Sequence, residues 1–195
     1  SGLTGAPAGV SNLGGEVDST LAWVGITSRP MPKLTLQADL RYTNKDDKTP
    51  IAPYTLIGTS TSTNQRLPEE KTAAKLQAMY QFTSDYRGTL GFDYAGIDRG
   101  VYTATSRAGG VSALRQTTDE TGVNAELRRS LTQNFSGAIR VSASQRDGSN
   151  WLRPNSGGGV SEVSNSDFFA TAIFMPTLAD RKQEKIKLFA DWQPD

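Results

Sequence analysis

The stretch that decides the fold reads Leu34-Thr35-Leu36-Gln37-Ala38-Asp39-Leu40-Arg41-Tyr42. Every second residue in it is apolar, and every residue between them is polar. Successive side chains of a β-strand point to opposite faces, whereas a helix repeats about every 3.6 residues. The stretch therefore predicts a strand with one apolar face and one polar face.

The same alternation recurs along the chain. The clear examples are residues 34–42, 72–82, 121–131, 135–143 and 186–192. A weaker version lies at 90–94, and 21–27 has β-propensity without a clean polar face. We therefore predict about seven strands, most of them near the ~9–11 residues that a tilted strand needs to cross a bilayer.

Composition excludes several classes of protein. The chain has 195 residues, with 21 basic and 20 acidic side chains and neither Cys nor His. Balanced charge gives no electrostatic footprint for a nucleic acid. Without Cys or His there is no disulfide framework, zinc finger, haem-attachment motif or Ser-His-Asp triad. We expect no enzyme, and no catalytic, cofactor-binding or metal-binding residue in this chain.

The connections between the predicted strands alternate in length. Short ones lie at 29–33, 83–87 and 132–134, and long ones at about 44–71, 100–116 and 147–181. Transmembrane β-barrels have short periplasmic turns and long external loops, whereas a soluble sandwich more often has short turns at both ends. No run approaches the ~18 apolar residues of a transmembrane helix. We predict an all-β, antiparallel, up-and-down transmembrane β-barrel segment in the cell outer membrane.

Alternation assigns each strand residue to one face. The lumen-facing candidates are Gln37, Asp39, Arg41, Lys75, Gln77, Asp93, Asn124, Glu126, Arg128, Arg140, Lys187 and Asp191. The lipid-facing candidates are Leu34, Leu36, Leu40, Leu76, Tyr80, Phe82, Leu90, Phe92, Val123, Leu127, Ile139, Val141, Ile186, Leu188 and Trp192. The lumen set carries both signs of charge, so a strongly ion-selective pore is not indicated. In a soluble protein the same polar set would be the solvated face.

One charge interrupts the apolar face of residues 121–131. Arg129 lies two residues from Leu131, near the short-turn end of that strand. There its long side chain would reach the membrane interface, whereas at the bilayer midplane it would cost about 2–4 kcal/mol.

Several short stretches resemble the MtrB/PioB family of decahaem-associated outer-membrane barrels. They occur in an order that spans nearly the whole chain. They are Arg29-Pro30-Met31-Pro32 with Leu34-Thr35-Leu36, Arg41-Tyr42, Asp46-Asp47-Lys48-Thr49-Pro50, Glu126-Leu127-Arg128-Arg129, Ser144-Gln145-Arg146-Asp147-Gly148-Ser149 with Trp151-Leu152, Met175-Pro176 with Ala179-Asp180-Arg181, Lys185-Ile186-Lys187-Leu188, and Trp192-Gln193-Pro194.

This resemblance implies a function. Barrels of the family sheathe a multihaem c-type cytochrome in the outer membrane of Gram-negative bacteria, so that electrons cross between periplasm and surface. The partners implied are that cytochrome, a further cytochrome at the surface, and the lipid bilayer. Haem would belong to the partner, and this chain would bind no cofactor. The alternatives are a porin or receptor for small solutes, and a surface-exposed β-rich adhesion module.

The chain also departs from the family. Members are several times longer, and some carry an N-terminal Cys-x-x-Cys that is absent here. About seven strands fall short of the usual minimum of eight for a closed barrel, and an open sheet in lipid leaves unpaired edges. We therefore expect residues 1–195 to be a single segment of a larger barrel, with 1–20 as loop or linker. The total strand number, the partner's identity and the direction of electron flow stay open.

Overall fold

The described part of the protein is almost entirely β-structure. A computed structural model describes residues 12, 14–51, 53–56, 60–63, 66, 68–100, 114–154, 160–163 and 176–193. In chain order the elements are β1 (Val17–Met31), β2 (Leu34–Asp47), β3 (Pro53–Leu56), β4 (Ser60–Thr63), β5 (Glu69–Gln81), β6 (Tyr86–Asp98), β7 (Leu114–Arg115), β8 (Thr117–Thr132), β9 (Phe135–Gly148), β10 (Trp151–Pro154), β11 (Val160–Glu162), a 3-10 helix (Pro176–Leu178) and β12 (Arg181–Trp192).

Seven long strands form one antiparallel sheet in the order β1-β2-β5-β6-β8-β9-β12. Each strand pairs with its sequence neighbour among the long strands, which is the up-and-down topology that the alternation predicted. Within the described residues the sheet is open, with β1 and β12 as its edges. The short strands form a hairpin, β3–β4, and a three-stranded sheet, β11-β10-β7, at the long-loop end.

The strands extend further into the long loops than the alternation indicated. β1 begins at Val17, so the prediction of loop through residue 20 is wrong for its last four positions, where Val17–Thr20 pair with Asn44–Asp47. Residues 1–11 and 13 lie outside the described residues. The extension carries polar side chains on both faces, so alternation does not reveal it. Its pairing is through the backbone, which any residue except proline supplies.

The long sheet has no closed apolar interior. Leu36, Leu76, Leu127 and Leu188 are 39%, 51%, 46% and 78% exposed. Among the described residues, the one buried apolar side chain is Leu178, which lies in the 3-10 helix outside the sheet. The described part of the chain contains no helix with the length and apolar character needed to span a membrane. The apolar side chains of the sheet are thus displayed on its surface.

Candidate functional site: the polar face of the sheet

Strand register sorts the sheet into two chemically distinct faces. Directly paired residues in antiparallel strands share a face. One continuous row joins Gln37 to Gln77, Gly91, Asn124 and Ser142. Extended over all rows, this register places every predicted lumen-facing residue on this polar face and every predicted lipid-facing residue within the strands on the other, apolar face. Phe82 follows the end of β5, and its ring lies over Gly88 of the apolar face.

Exposure differs between the two faces. Along β8 and β9 the apolar-face side chains are more exposed; Val123 is 56% and Val141 45% exposed. Their polar-face neighbours Asn124 and Ser142 are half-buried. Side chains on a concave surface shield one another, so the polar face is the concave side of these strands. This is the arrangement of a barrel wall, and the functional assignment of the faces to lumen and lipid stays a prediction.

The apolar band crosses the sheet obliquely. On β2 the band ends, on the side of the long loops, at Tyr42. Following the paired residues across the sheet from Tyr42 leads to Asp147 on β9. On β12 the border is Ile186, which pairs with Val141, six residues further along β9. Between β2 and β12 the border therefore shifts by six residues along the strands, or about 20 Å, while crossing five strand spacings, or about 24 Å. This ratio corresponds to a strand tilt of about 40°. Strands of closed transmembrane barrels are tilted by about 35–45°.

The oblique band leaves two charges of the apolar face outside it. Lys182 and Glu184 share that face with Ile186, in rows that on β2 contain the apolar Leu40 and Ala38. Because the band steps down by about one residue per strand, both charges lie beyond its border on β12, on the loop side. They therefore belong to the polar rim and not to the apolar band.

A cluster of ion pairs covers the short-turn half of the polar face, centred on Glu126. Its carboxylate accepts bonds from Arg140 Nε at 2.8 Å and pairs with Arg140 Nη2 at 2.6 Å. Arg128 Nε lies 3.7 Å from the same carboxylate, and Arg128 Nη1 donates to Asp191 at 2.9 Å. The Glu126 side chain is only 9% exposed. Four predicted lumen residues, from three strands, are thus brought together.

The Arg140 guanidinium also explains a break in the alternation. Phe189 occupies a polar-face position on β12, where the pattern predicts a polar residue. The guanidinium carbon of Arg140 lies 5.8 Å from the centre of the Phe189 ring. A cation over an aromatic face is attracted by the ring quadrupole. The ring therefore has a polar-face partner, which one-dimensional alternation does not show.

A second ion-pair cluster lies at the loop end of the polar face. Arg146 donates to Glu120 from Nε at 2.9 Å and from Nη2 at 2.6 Å, and Arg181 Nη2 donates to the other carboxylate oxygen at 2.6 Å. Arg146 also donates to the Thr177 carbonyl. The candidate list omits all three charged residues, because they lie in the strand extensions where both faces are polar. Their paired positions on β8, β9 and β12 appear only with the register.

A depression of about 840 Å³ occupies the polar face between β1 and β9. Its lining includes Leu21 and Trp23 of β1, which are 60% and 67% exposed, together with Arg41 and Lys75. Neither cation forms an ion pair within the described part of the chain. In the sequence, residues 21–27 have no clean polar face, so apolar side chains lie on both faces of β1. This pattern was the sequence signal for the apolar part of the depression.

The profile of one protein family matches almost the whole chain. It is described as "Putative outer membrane beta-barrel porin, MtrB/PioB", and it matches residues 3–195. The chain belongs to the MtrB/PioB family. No curated protein matches it. The family description gives the outer membrane as the location and a porin, a non-enzymatic kind of protein, as the class.

The apolar band of this MtrB/PioB chain has the height expected for an outer membrane. On β2 it runs from Leu34 to Tyr42. Its eight residue steps rise about 27 Å along the strand, which is about 21 Å along the membrane normal at a tilt of about 40°. The apolar band of outer-membrane barrels is about 25 Å tall. The family resemblance drawn from the sequence is confirmed, and so is the location.

Arg115 ties the long loops of the MtrB/PioB chain together. It is 7% exposed, stacks 4.9 Å from the Trp151 ring centre and donates to the Leu178 carbonyl at 3.3 Å. It also forms a two-point ion pair with Asp180, in which Nη2 and Oδ2 are 3.1 Å apart. The hydrogen bond from Arg115 holds the pKa of the Asp180 carboxyl below its usual range. The cluster joins segments before β8, after β9 and before β12.

The described residues contain no group of three or more acidic side chains placed to hold a metal ion. The whole chain has neither Cys, which attaches haem covalently in c-type cytochromes, nor His, which ligates the haem iron in them. The chemistry available on the polar face is therefore charge pairing, hydrogen bonding and apolar contact.

Proposed function

We propose that this chain forms part of the wall of an outer-membrane barrel that sheathes a multihaem c-type cytochrome for electron transfer across the membrane. The wall would exclude lipid and position the partner, and the partner's haems would carry the electrons. The observation that carries the proposal is the apolar surface of Leu21 and Trp23 inside the concave, otherwise polar face.

That surface favours a protein occupant over a water-filled pore. Exposed aromatic side chains and arginine are enriched where proteins bind one another, whereas a porin lumen is lined by polar groups. Trp23 lines the depression beside Arg41, which has no ion-pair partner among the described residues. A partner surface with carboxylates beside an apolar patch would satisfy both. The ion-paired clusters on β8, β9 and β12 would then act as a pre-organised, nearly neutral wall.

The topology supports a larger barrel. Seven alternating strands leave edges β1 and β12 that run in the same direction. Joining these edges directly would make a parallel pair, which up-and-down barrels do not contain, and unpaired edges in lipid are prohibitive. We infer that the complete barrel interposes an odd number of further strands between β12 and β1.

Co-purification from native outer membranes tests the sheath. The affinity-tagged full-length protein is expected to carry haem absorbance at a fixed ratio to the barrel, and Trp23→Gln is expected to lower that ratio. Trp192→Gln is the matched control, since Trp192 is 72% exposed on the apolar face. A colourless barrel from cells that make the cytochrome would contradict the proposal.

A porin remains the second candidate, because the family description names one and the polar face carries both signs of charge. Liposomes that contain the purified barrel alone would then swell in isosmotic sugar solutions. A sheath whose lumen is filled by its partner gives no swelling when the complex is reconstituted. Swelling by the intact complex would therefore favour the porin and count against the sheath.

A further inference from the structure

An aromatic cluster lies on the apolar face at the short-turn end of β5 and β6. The Tyr80 and Phe82 rings meet edge to face, with centroids 5.1 Å apart. The Phe82 ring lies over Gly88, where a Cβ atom would come within 2.7 Å of it. Tyr86 follows, and its ring lies under Arg129, with the guanidinium carbon 5.0 Å from the ring centre. We call Tyr80, Phe82, Tyr86 and Arg129 the aromatic–arginine cluster.

The charge in this cluster has no acidic partner. Arg129 is exposed and forms no ion pair within the described residues. The carboxylate of the neighbouring turn, Asp85, instead accepts a hydrogen bond from Ser84 Oγ at 2.9 Å. Lys33, in the turn before β2, donates to the Phe82 carbonyl at 3.3 Å. The rim of the apolar band therefore presents a cation without a counter-charge.

A depression of about 500 Å³ adjoins the cluster on the apolar face. Apart from Glu126 its lining is apolar or uncharged, and it includes Phe82, Gly88, Leu127 and Ile139. Gly88 and Leu127 pair directly, two rows inside the row of Tyr86 and Arg129 and on the same face. The depression thus runs from the cationic rim into the apolar band.

We propose that the aromatic–arginine cluster is a binding site for an anionic glycerophospholipid in the leaflet on the short-turn side. The lipid phosphate would accept hydrogen bonds from the Arg129 guanidinium, and one acyl chain would lie in the adjoining depression. The inference rests on the outer-membrane location and on the apolar face meeting lipid. It is independent of the cytochrome.

Three physical arguments favour this occupant. A guanidinium donates through several N–H groups in a plane, which suits phosphate oxygens, and Tyr86 holds that plane in place. Tyrosine rings are favoured at the level where acyl chains meet headgroups. The short turns of outer-membrane barrels are periplasmic, so the leaflet at this end consists of phospholipid.

Lipid binding to the delipidated full-length barrel in detergent tests the site. Native mass spectrometry would count phosphatidylglycerol and phosphatidylcholine retained by each barrel over a lipid titration. Arg129→Gln is expected to weaken phosphatidylglycerol binding about fivefold, the effect of one cation near an anionic surface. Arg129→Lys is expected to retain more of the binding than Arg129→Gln, since it keeps the charge.

Arg87→Gln is the matched control. Arg87 follows Tyr86 on β6, pairs with Arg128 on the polar face, and is exposed without an ion-pair partner in the described residues. Arg87→Gln removes one positive charge at the short-turn end of the sheet, as Arg129→Gln does, but from the opposite face. Phosphatidylglycerol binding should therefore be unchanged. Equal losses in Arg129→Gln and Arg87→Gln, or no loss in either, would overturn the proposal. Unaltered heat resistance of the barrel in each variant establishes that folding is not the cause.

Discussion

Replacing Glu126 removes the centre of the short-turn ion-pair cluster. This carboxylate is 9% exposed; Arg140 donates to it from Nε at 2.8 Å and forms an ion pair with it through Nη2 at 2.6 Å. Arg128 loses less stabilisation than Arg140, because it keeps its hydrogen bond to Asp191 at 2.9 Å. The cost therefore comes mainly from one arginine that loses its partner on the polar face.

The magnitude follows from the exposure of that arginine. Exposed ion pairs contribute about 0.2–1 kcal/mol, whereas breaking a buried pair costs about 3–5 kcal/mol. The acceptor is nearly buried, but Arg140 is 41% exposed and water can solvate it after the change. We expect Glu126→Ala to lower the free energy of unfolding by about 2 kcal/mol. Glu126→Gln keeps one carbonyl acceptor and should cost about 1 kcal/mol.

Urea unfolding of the full-length barrel in lipid vesicles measures this effect. Glu184→Gln is the control, because Glu184 lies beyond the apolar band on the loop side and has no ion pair within the described residues. It should change stability by less than about 0.5 kcal/mol. The double variant Glu126→Gln/Arg140→Gln should cost less than the sum of the single changes. Additive effects, or a Glu126→Gln barrel as stable as the unaltered one, would refute the reasoning.

Three further outcomes are expected. The Asp180 pKa is held below its ordinary value of 3.8 by Arg115, so the contact between the long loops is complete above that value and is lost as the pH falls through the lowered pKa. Amide exchange in the loops would show protection falling below pH ~4, and Asp180→Asn would lack that step. Gly88→Ala places a Cβ within 2.7 Å of the Phe82 ring, whereas Gly122→Ala meets nothing nearer than 3.5 Å; the first variant should be about 1 kcal/mol less stable than the second in urea unfolding. Finally, a structure of the complete barrel should show an even number of strands, and an odd count would contradict the closure inferred from the parallel edges.

Much of the fold could be predicted from local sequence. The alternation at residues 34–42 predicted the strand and its separate polar and apolar faces, and in the structure Leu34–Tyr42 lie within β2. The short turns were predicted from Pro30 and Pro32 and from the polar residues at 83–87. These features depend on neighbours in the chain, so the sequence carries them directly.

The partners of the charged residues could not be predicted in this way. Glu126 and Arg140 are on adjacent strands, but Arg128 reaches Asp191, which lies 63 positions away. Glu120 binds Arg181, which is 61 positions away and falls in the predicted loop 147–181. Which charges meet depends on the register between strands, and a shift of two residues keeps both faces intact while changing every pair.

The sequence by itself determined that the protein has strands with one apolar and one polar face, because a period of two is a property of consecutive residues. The tertiary structure decided how the strands are staggered, and with it the tilt that moves Lys182 and Glu184 out of the apolar band. It also decided that Arg129 lies over Tyr86 on the apolar face, without an ion pair among the described residues, and that Trp23 lies within the concave polar face. Such contacts involve residues far apart in the chain, which come together only when the hydrogen bonds between strands fix the register.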